Sequence, residues 1–302
     1  MVLVAAAAMA GSRLAPAPSL ESVATGTPAT SAPLIAAPSA GPPVASPSLT
    51  SASAAPPPPT LVPPPPSLEP TAFPPVTLHV PILAYHVVAP LDVAASDLSK
   101  LLTVLPERFE DHLHALRREG WQTVTAGVLA DALEHGRLLP PRTFVITLDD
   151  GHDDGWTYAL PIIQRYGFVA TFYIVTGLVG LPTYLTWAQL RALQALGMEI
   201  GNHTIDHLAL PSQPAAEVLR QVAGAQAIFE GHLELAPTTF SYPYGLYDAT
   251  TVQAVLATGL LGAMTSSGGL EQTWAARFAL PRINVRNAWT GAQLIRSVNR
   301  FR

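Results

Sequence analysis

The chain predicts an α/β protein of parallel architecture, an open sheet or a barrel, behind a low-complexity N-terminal spacer. Three observations carry this reading. Strand-like and helix-like patterns alternate through residues 77–302. Four polar groups, Tyr85-His86, Asp149-Asp150-Gly151, Asn202-His203 and Tyr242-Pro243-Tyr244-Gly245, each follow a strand-like run. In a β/α barrel the chemistry gathers where strands end, so the barrel is favoured. Residues 1–76, in contrast, show no periodicity and hold most of the 31 prolines, with Arg13, Glu21 and Glu69 as their only charges.

The elements follow in order. Val80–Val88 is short and apolar and reads as a first strand. Arg108–Glu119 is helical, because Phe109, Leu113 and Leu116 recur at i, i+4 and i+7, and Gly120 ends it. Trp121–Val124 is a second strand, and Ala126–His135 a helix. Thr143–Leu148, rich in β-branched residues, is a strand that stops at two carboxylates and a glycine. Tyr158–Tyr166 is a helix stopped by Gly167, and Val169–Val175 a strand. Thr186 caps the next helix with Gln189 at the capping-box position. Met198–Gly201 is a strand and Ala215–Glu230 a long helix. Thr239–Tyr242, Leu260–Thr265 and Leu280–Val285 are further strands. Thr250–Thr258 and Gly291–Asn299 are the last helices.

Residues 1–76 cannot bury enough side chain to offset the entropy of ordering them, so they read as a disordered or polyproline-II-like linker. Residues 77–302 are ample for one α/β domain. The apolar run Val2–Gly11 with Ala8-Met9-Ala10 is similar to a secretory signal lacking its positive flank. This start and spacer suit an exported protein, secreted or at the cell surface and held at a wall or membrane. The formal net charge of −5 points to no nucleic-acid partner. The chain has no cysteine, which excludes thiolate metal sites, cysteine nucleophiles and disulfides.

Asp149 and Asp150 are costly side by side at the end of a buried strand unless a cation neutralises them. The plainer alternative is a loop pair capping the next helix, a role that Asp153 and Asp154 fit better. His203 and His207, four residues apart, suit two ligands on one tight turn. With a carboxylate they make a two-histidine, one-carboxylate set that leaves positions open for water and substrate. Zinc fits that set, and cobalt or nickel also fit. In Tyr242-Pro243-Tyr244-Gly245 the proline fixes the backbone, so the Tyr244 N–H could face a developing oxyanion. An ordinary Pro-Gly turn is the other reading.

Together these residues resemble the polysaccharide deacetylase family, carbohydrate esterase family 4, with its NodB-homology domain. The resemblance runs from about Leu78 to the C-terminus. It rests on Thr147-Leu148-Asp149-Asp150-Gly151, Ala159-Leu160-Pro161, Tyr166-Gly167-Phe168, Ala170-Thr171-Phe172-Tyr173, Gly201–His207 and Tyr242-Pro243-Tyr244-Gly245. It implies a distorted (β/α) barrel of about seven strands and a metal-dependent hydrolase removing N-acetyl groups from a glycan. Poly-N-acetylglucosamine, peptidoglycan and chitin-like polymers are the substrates it suggests. Carried over, Asp149 is the general base, Asp150, His203 and His207 hold the metal, and the Tyr244 N–H receives the oxyanion. The sequence departs from the family pattern twice. No arginine precedes the Tyr-Pro turn, so Arg282 is the candidate that orients Asp149. No histidine follows His232, so His86 is the candidate proton donor. These departures keep two alternatives open: a glycan-binding protein with a degenerate site, and an amidohydrolase of small molecules.

Overall fold

The computed structural model describes residues 76–92, 96–211 and 213–300. The expected spacer and signal-like start, except for Val76, lie outside the described residues. No helix among the described residues is long and apolar enough to cross a membrane.

The fold is built on a curled parallel sheet. Its strands run in the order Gly262–Met264, Thr239–Ser241, Glu199–Asn202, Thr171–Ile174, Thr143–Leu148, Ile82–Tyr85 and Ile283–Asn284. Gln122–Thr123 adds a short parallel partner to the start of Thr143–Leu148. The order is sequential, and the last strand returns to the free edge of the first. That is barrel winding, but the sheet stays open, which corrects the expected barrel. Leu280 bridges Met264 at one end of the sheet, and Ile283 and Asn284 pair with Leu83 and Ala84 at the other. Between them Pro281 has no N–H to donate, and the Arg282 N–H goes to the Ser267 carbonyl.

Period two sorts the side chains of Thr143–Leu148, all six of which are buried. Phe144, Ile146 and Leu148 enter the larger core, with Phe109, Leu113 and Leu116 of the helix Pro106–Arg118. Val145 enters a second core with Ile82, Tyr173, Met264 and Leu280. Thr147 and Asp149 continue the Val145 series. Each fully buried side chain such as Phe109 or Leu113 contributes about 1.5–3 kcal/mol. The base of this second face carries a half-buried polar tie. Glu199 accepts hydrogen bonds from the Gly127 N–H and from the hydroxyls of Thr171 and Thr239.

Several elements differ from expectation. The single strand expected over Val80–Val88 breaks at His86, and Val87–Val88 pairs with Thr103–Val104. The helix expected from Tyr158 begins as a π-helical turn, Gly155–Ala159, before Leu160–Arg165. Pro161 lacks the N–H that an α-turn would send to Thr157, and the Leu160 N–H reaches back to Gly155 instead. Helix Asp97–Leu102 was not expected; it buries no residue. Thr77–His79 pairs antiparallel with Glu271–Thr273, outside the main sheet. The capping box at Thr186 and Gln189 is present.

Candidate active site

Leu148 is the last strand residue, and the Asp149 N–H still bonds the Tyr85 carbonyl. The chain then turns sharply, with φ of 76° at Asp150 and 81° at Gly151. A Cβ at Gly151 would press on the Ile174 side chain and sit in left-handed backbone, so glycine is required there. This turn separates the two carboxylates. Asp149 goes inward along the Val145 face, and Asp150 goes toward the histidines.

Arg282 lies behind Asp149, 1% exposed. Its Nη1 donates to Asp149 Oδ1 at 2.8 Å and its Nη2 to Asp149 Oδ2 at 2.7 Å. The remaining donors reach Thr147 Oγ1, Ser241 Oγ and the Thr265 carbonyl. All five guanidinium N–H groups are therefore satisfied, which a buried arginine requires. The Ser241 hydroxyl also donates to Asp149 Oδ2. Burial pushes the Asp149 carboxyl up, but the opposing interactions, those of the adjacent Arg282 guanidinium first among them, together more than offset this and hold it below the usual carboxylate range. The Tyr173 ring lies 5.9 Å from the guanidinium carbon.

Asp150, His203 and His207 converge from two strand-end loops. Asp150 Oδ1 is 3.3 Å from His203 Nε2 and 3.2 Å from His207 Nε2, and the three ligand atoms lie within 4.8 Å of one another. His203 Nδ1 is 2.7 Å from the Ser241 carbonyl, so that nitrogen carries a proton and donates it. In the neutral imidazole, Nε2 then offers a lone pair toward the Asp150 oxygen. Two facing acceptors repel unless a cation stands between them, so the donor set fits a divalent metal. The loop is held firmly. Asn202 accepts from the Thr204 N–H, Gln221 from the N–H groups of Ile205 and Asp206, and Thr204 Oγ1 from the His207 N–H. Thr204 and His207 both have positive φ. On the other side of Asp150, His152 Nε2 lies 3.8 Å from Oδ2, its ring stacked on Tyr184.

A cavity of about 340 Å³ opens over these groups and is lined by His86, Asp149, Asp150, His203, His207 and Tyr244, among others. Tyr244 is left-handed at φ 60°, with an exposed ring 4.7 Å from that of His207. His86 sits at the break after the first strand. Burial lowers its pKa more than the nearby Asp149 and Asp150 carboxylates raise it. The structure thus gathers all seven residues singled out in the sequence, with Arg282 behind the cavity wall. Asp154 stands at a helix start, as expected, at the head of the turn Gly155–Ala159, but its side chain accepts the Val88 N–H rather than capping that turn. Sequence reasoning gave no role to Ser241, Thr147, Gln221 or His152. The first two lie inside quoted strand runs, where a hydroxyl carries no signal of its own.

Comparison with known proteins points one way. Residues 137–263 match the family model described as polysaccharide deacetylase. YxkH of Bacillus subtilis (strain 168) is 28% identical over 212 residues, 70% of this chain and 73% of that protein. A peptidoglycan-N-acetylglucosamine deacetylase of Bacillus cereus is 26% identical over 153 residues, 50% of this chain and 70% of that one. Among solved structures, the deacetylase PplD of Streptococcus pyogenes, in complex with acetate, superposes with a TM-score of 0.69 at 24% identity. That match covers 74% of this chain and 99% of PplD, and shows a shared fold.

Proposed function

Since this chain belongs to the polysaccharide deacetylase family and is a hydrolase of that class, we propose that it removes N-acetyl groups from a polysaccharide. The candidate polymers are poly-N-acetylglucosamine, peptidoglycan and chitin-like chains. The observation that carries this reading is the pairing of the Asp150–His203–His207 cluster with a second carboxylate, Asp149, clamped by Arg282. The name of the Bacillus cereus relative supports a glycan of N-acetylglucosamine. The apolar start of the chain and its Pro-rich spacer support a site of action outside the cytoplasm.

Asp150, His203 and His207 would hold a divalent ion, zinc by preference for this nitrogen and oxygen set, which would supply Lewis acidity to the acetyl carbonyl and make water more acidic. Asp149 takes the proton of the attacking water. Its Oδ2 already accepts from Arg282 and Ser241, whereas Oδ1 accepts only from Arg282 among the described residues. Oδ1 therefore keeps a lone pair for the proton. The Tyr244 N–H receives the charge that develops on the carbonyl oxygen. His86, in the same cavity, returns a proton to the leaving amine. Arg282 is a positioning residue in this scheme, keeping Asp149 ionised and aimed.

The test is acetate release from a defined N-acetylglucosamine oligomer by the full chain. Release is expected with zinc, cobalt or nickel, and its loss on chelation or in Asp150→Ala. Oligomer bound by metal-loaded protein without any acetate released would overturn the proposal in favour of a binding protein.

A further inference from the structure

The segment that carries Arg282 continues past it in extended backbone, with the Val285 N–H on the Ala84 carbonyl. Side chains two apart on such a segment share a face. Arg282 and Asn284 both reach toward residues 265–267, Arg282 to the Thr265 carbonyl and Asn284 to that of Ser266. Arg286 is the next member of this series. It lies about 13 Å along the strand from Arg282, at roughly 3.3 Å per residue. The series climbs from the buried Asp149 pair to the lip of the cavity, which Asn284 and Arg286 both line.

Arg286 differs from Arg282 in one respect. Among the described residues no hydrogen bond or ion pair engages its side chain, which is exposed. Its mount is fixed all the same. The Arg286 carbonyl accepts the Trp289 N–H, and the Asn287 side chain accepts the Leu105 N–H. Among the described residues the rest of the lip offers no carboxylate to pair with it. The helix Asp97–Leu102 contributes Leu98, Leu101 and Leu102, and of the two carboxylates in the cavity Asp149 is paired with Arg282 and Asp150 is turned toward His203 and His207, with which it would share a metal. An unmatched guanidinium about 13 Å along the strand from the Asp149–Arg282 pair is placed for a neighbouring sugar rather than for the acetyl group.

We propose that Arg286 is a specificity-determining residue that binds a carboxylate on a sugar adjoining the one deacetylated, so that the preferred substrate is an acidic N-acetylated glycan. This rests on the deacetylase reading above and selects among its candidate polymers. A guanidinium grips a carboxylate with two parallel N–H bonds, a match that the hydroxyls of a neutral sugar do not offer. The same charge repels the ammonium that deacetylation leaves on a neighbouring unit, so an already processed stretch is disfavoured.

The experiment compares two oligomers of equal length on metal-loaded full chain. One contains only N-acetylglucosamine, and the other alternates it with N-acetylmuramic acid, whose lactyl group carries a carboxylate. The ratio of kcat/KM values is expected to favour the acidic oligomer by about tenfold, the size of one charge-assisted hydrogen bond at a partly exposed site. The preference should sit in KM, shrink with added salt, collapse toward one in Arg286→Gln, survive in part in Arg286→Lys and invert in Arg286→Glu. Equal use of both oligomers by the wild type would overturn the proposal, as would a preference that Arg286→Glu leaves in place. Calorimetric binding of both oligomers to the same variants runs alongside. If neither oligomer releases acetate, the deacetylase reading falls, and the binding ratio still decides for or against Arg286.

Discussion

Asp149 and Asp150 are neighbours in the chain, yet a positive φ at Asp150 sends them into separate networks. Asp149 and Arg282 form a fully buried pair in which every guanidinium donor is used. Breaking such a pair leaves a bare carboxylate in the interior, at a cost of about 3–5 kcal/mol, whereas replacing both partners by apolar groups is close to neutral. Arg282→Met should therefore lower the urea midpoint strongly. Adding Asp149→Leu should restore most of the stability and none of the acetate release. Unfolding midpoints of the single and double variants decide this, and an Arg282→Met protein as stable as the wild type would contradict the buried pair. Much of this site was legible in the sequence, because carboxylates, imidazoles and an arginine stand out at the ends of apolar runs. Thr147 and Ser241 did not, since a hydroxyl inside a strand-forming run also satisfies strand propensity. Gln221 did not either. A glutamine in a helix reads as solvent-facing until the loop it serves is in view.

At the scale of elements, alternation of strand and helix was legible because parallel strands buried on both faces read as continuous apolar runs. The short pieces were not. Val87–Val88 and Ile283–Asn284 are set by partners distant in sequence, and two residues carry no period. The open seam of the sheet was hidden for the same reason, since it depends on what Leu280 and Ile283 meet on opposite edges. One glycine shows how tightly the strands are fitted around the site. A Cβ on Gly201, in the strand that leads to His203, would fall 2.4 Å from the Tyr173 ring. That ring is fully buried, its hydroxyl donates to Thr239, and it backs the Arg282 guanidinium. The ring cannot step aside without disturbing both. Gly201→Ala should cost about 1–3 kcal/mol by overpacking, with a loss of activity larger than the loss of folded protein. Pairing it with Tyr173→Leu should recover stability in the urea midpoint. A Gly201→Ala chain indistinguishable from wild type in both readouts would mean that the ring has room to move.

At the scale of the whole fold, two helices far apart in the sequence pack together, and the seam between them holds a group that titrates. Helix Pro106–Arg118 packs on Gly291–Val298, and His112 sits in that seam. Its Nε2 is 2.7 Å from the Trp289 carbonyl and its Nδ1 is 3.3 Å from the Tyr85 hydroxyl. Nε2 therefore carries the proton, and Nδ1 accepts from Tyr85, a pattern that only the neutral ring satisfies. Burial lowers the His112 pKa below 6.5, more than the Trp289 and Asp111 interactions raise it. The unfolded chain then binds a proton more readily than the folded one as pH falls through 6.5, so stability is lost on the acid side of that value and is fully present above it. The loss is expected as the pH falls from 7.5 to 5.5. The chain holds nine histidines in all, so the measurement is a difference. Urea midpoints of wild type and His112→Gln, which keeps a donor for Trp289 and cannot charge, are followed across that range. The wild type should lose more of its midpoint than the variant as the solution is acidified. Parallel curves would show that His112 is protonated as readily folded as unfolded, and that the helix seam carries no pH dependence.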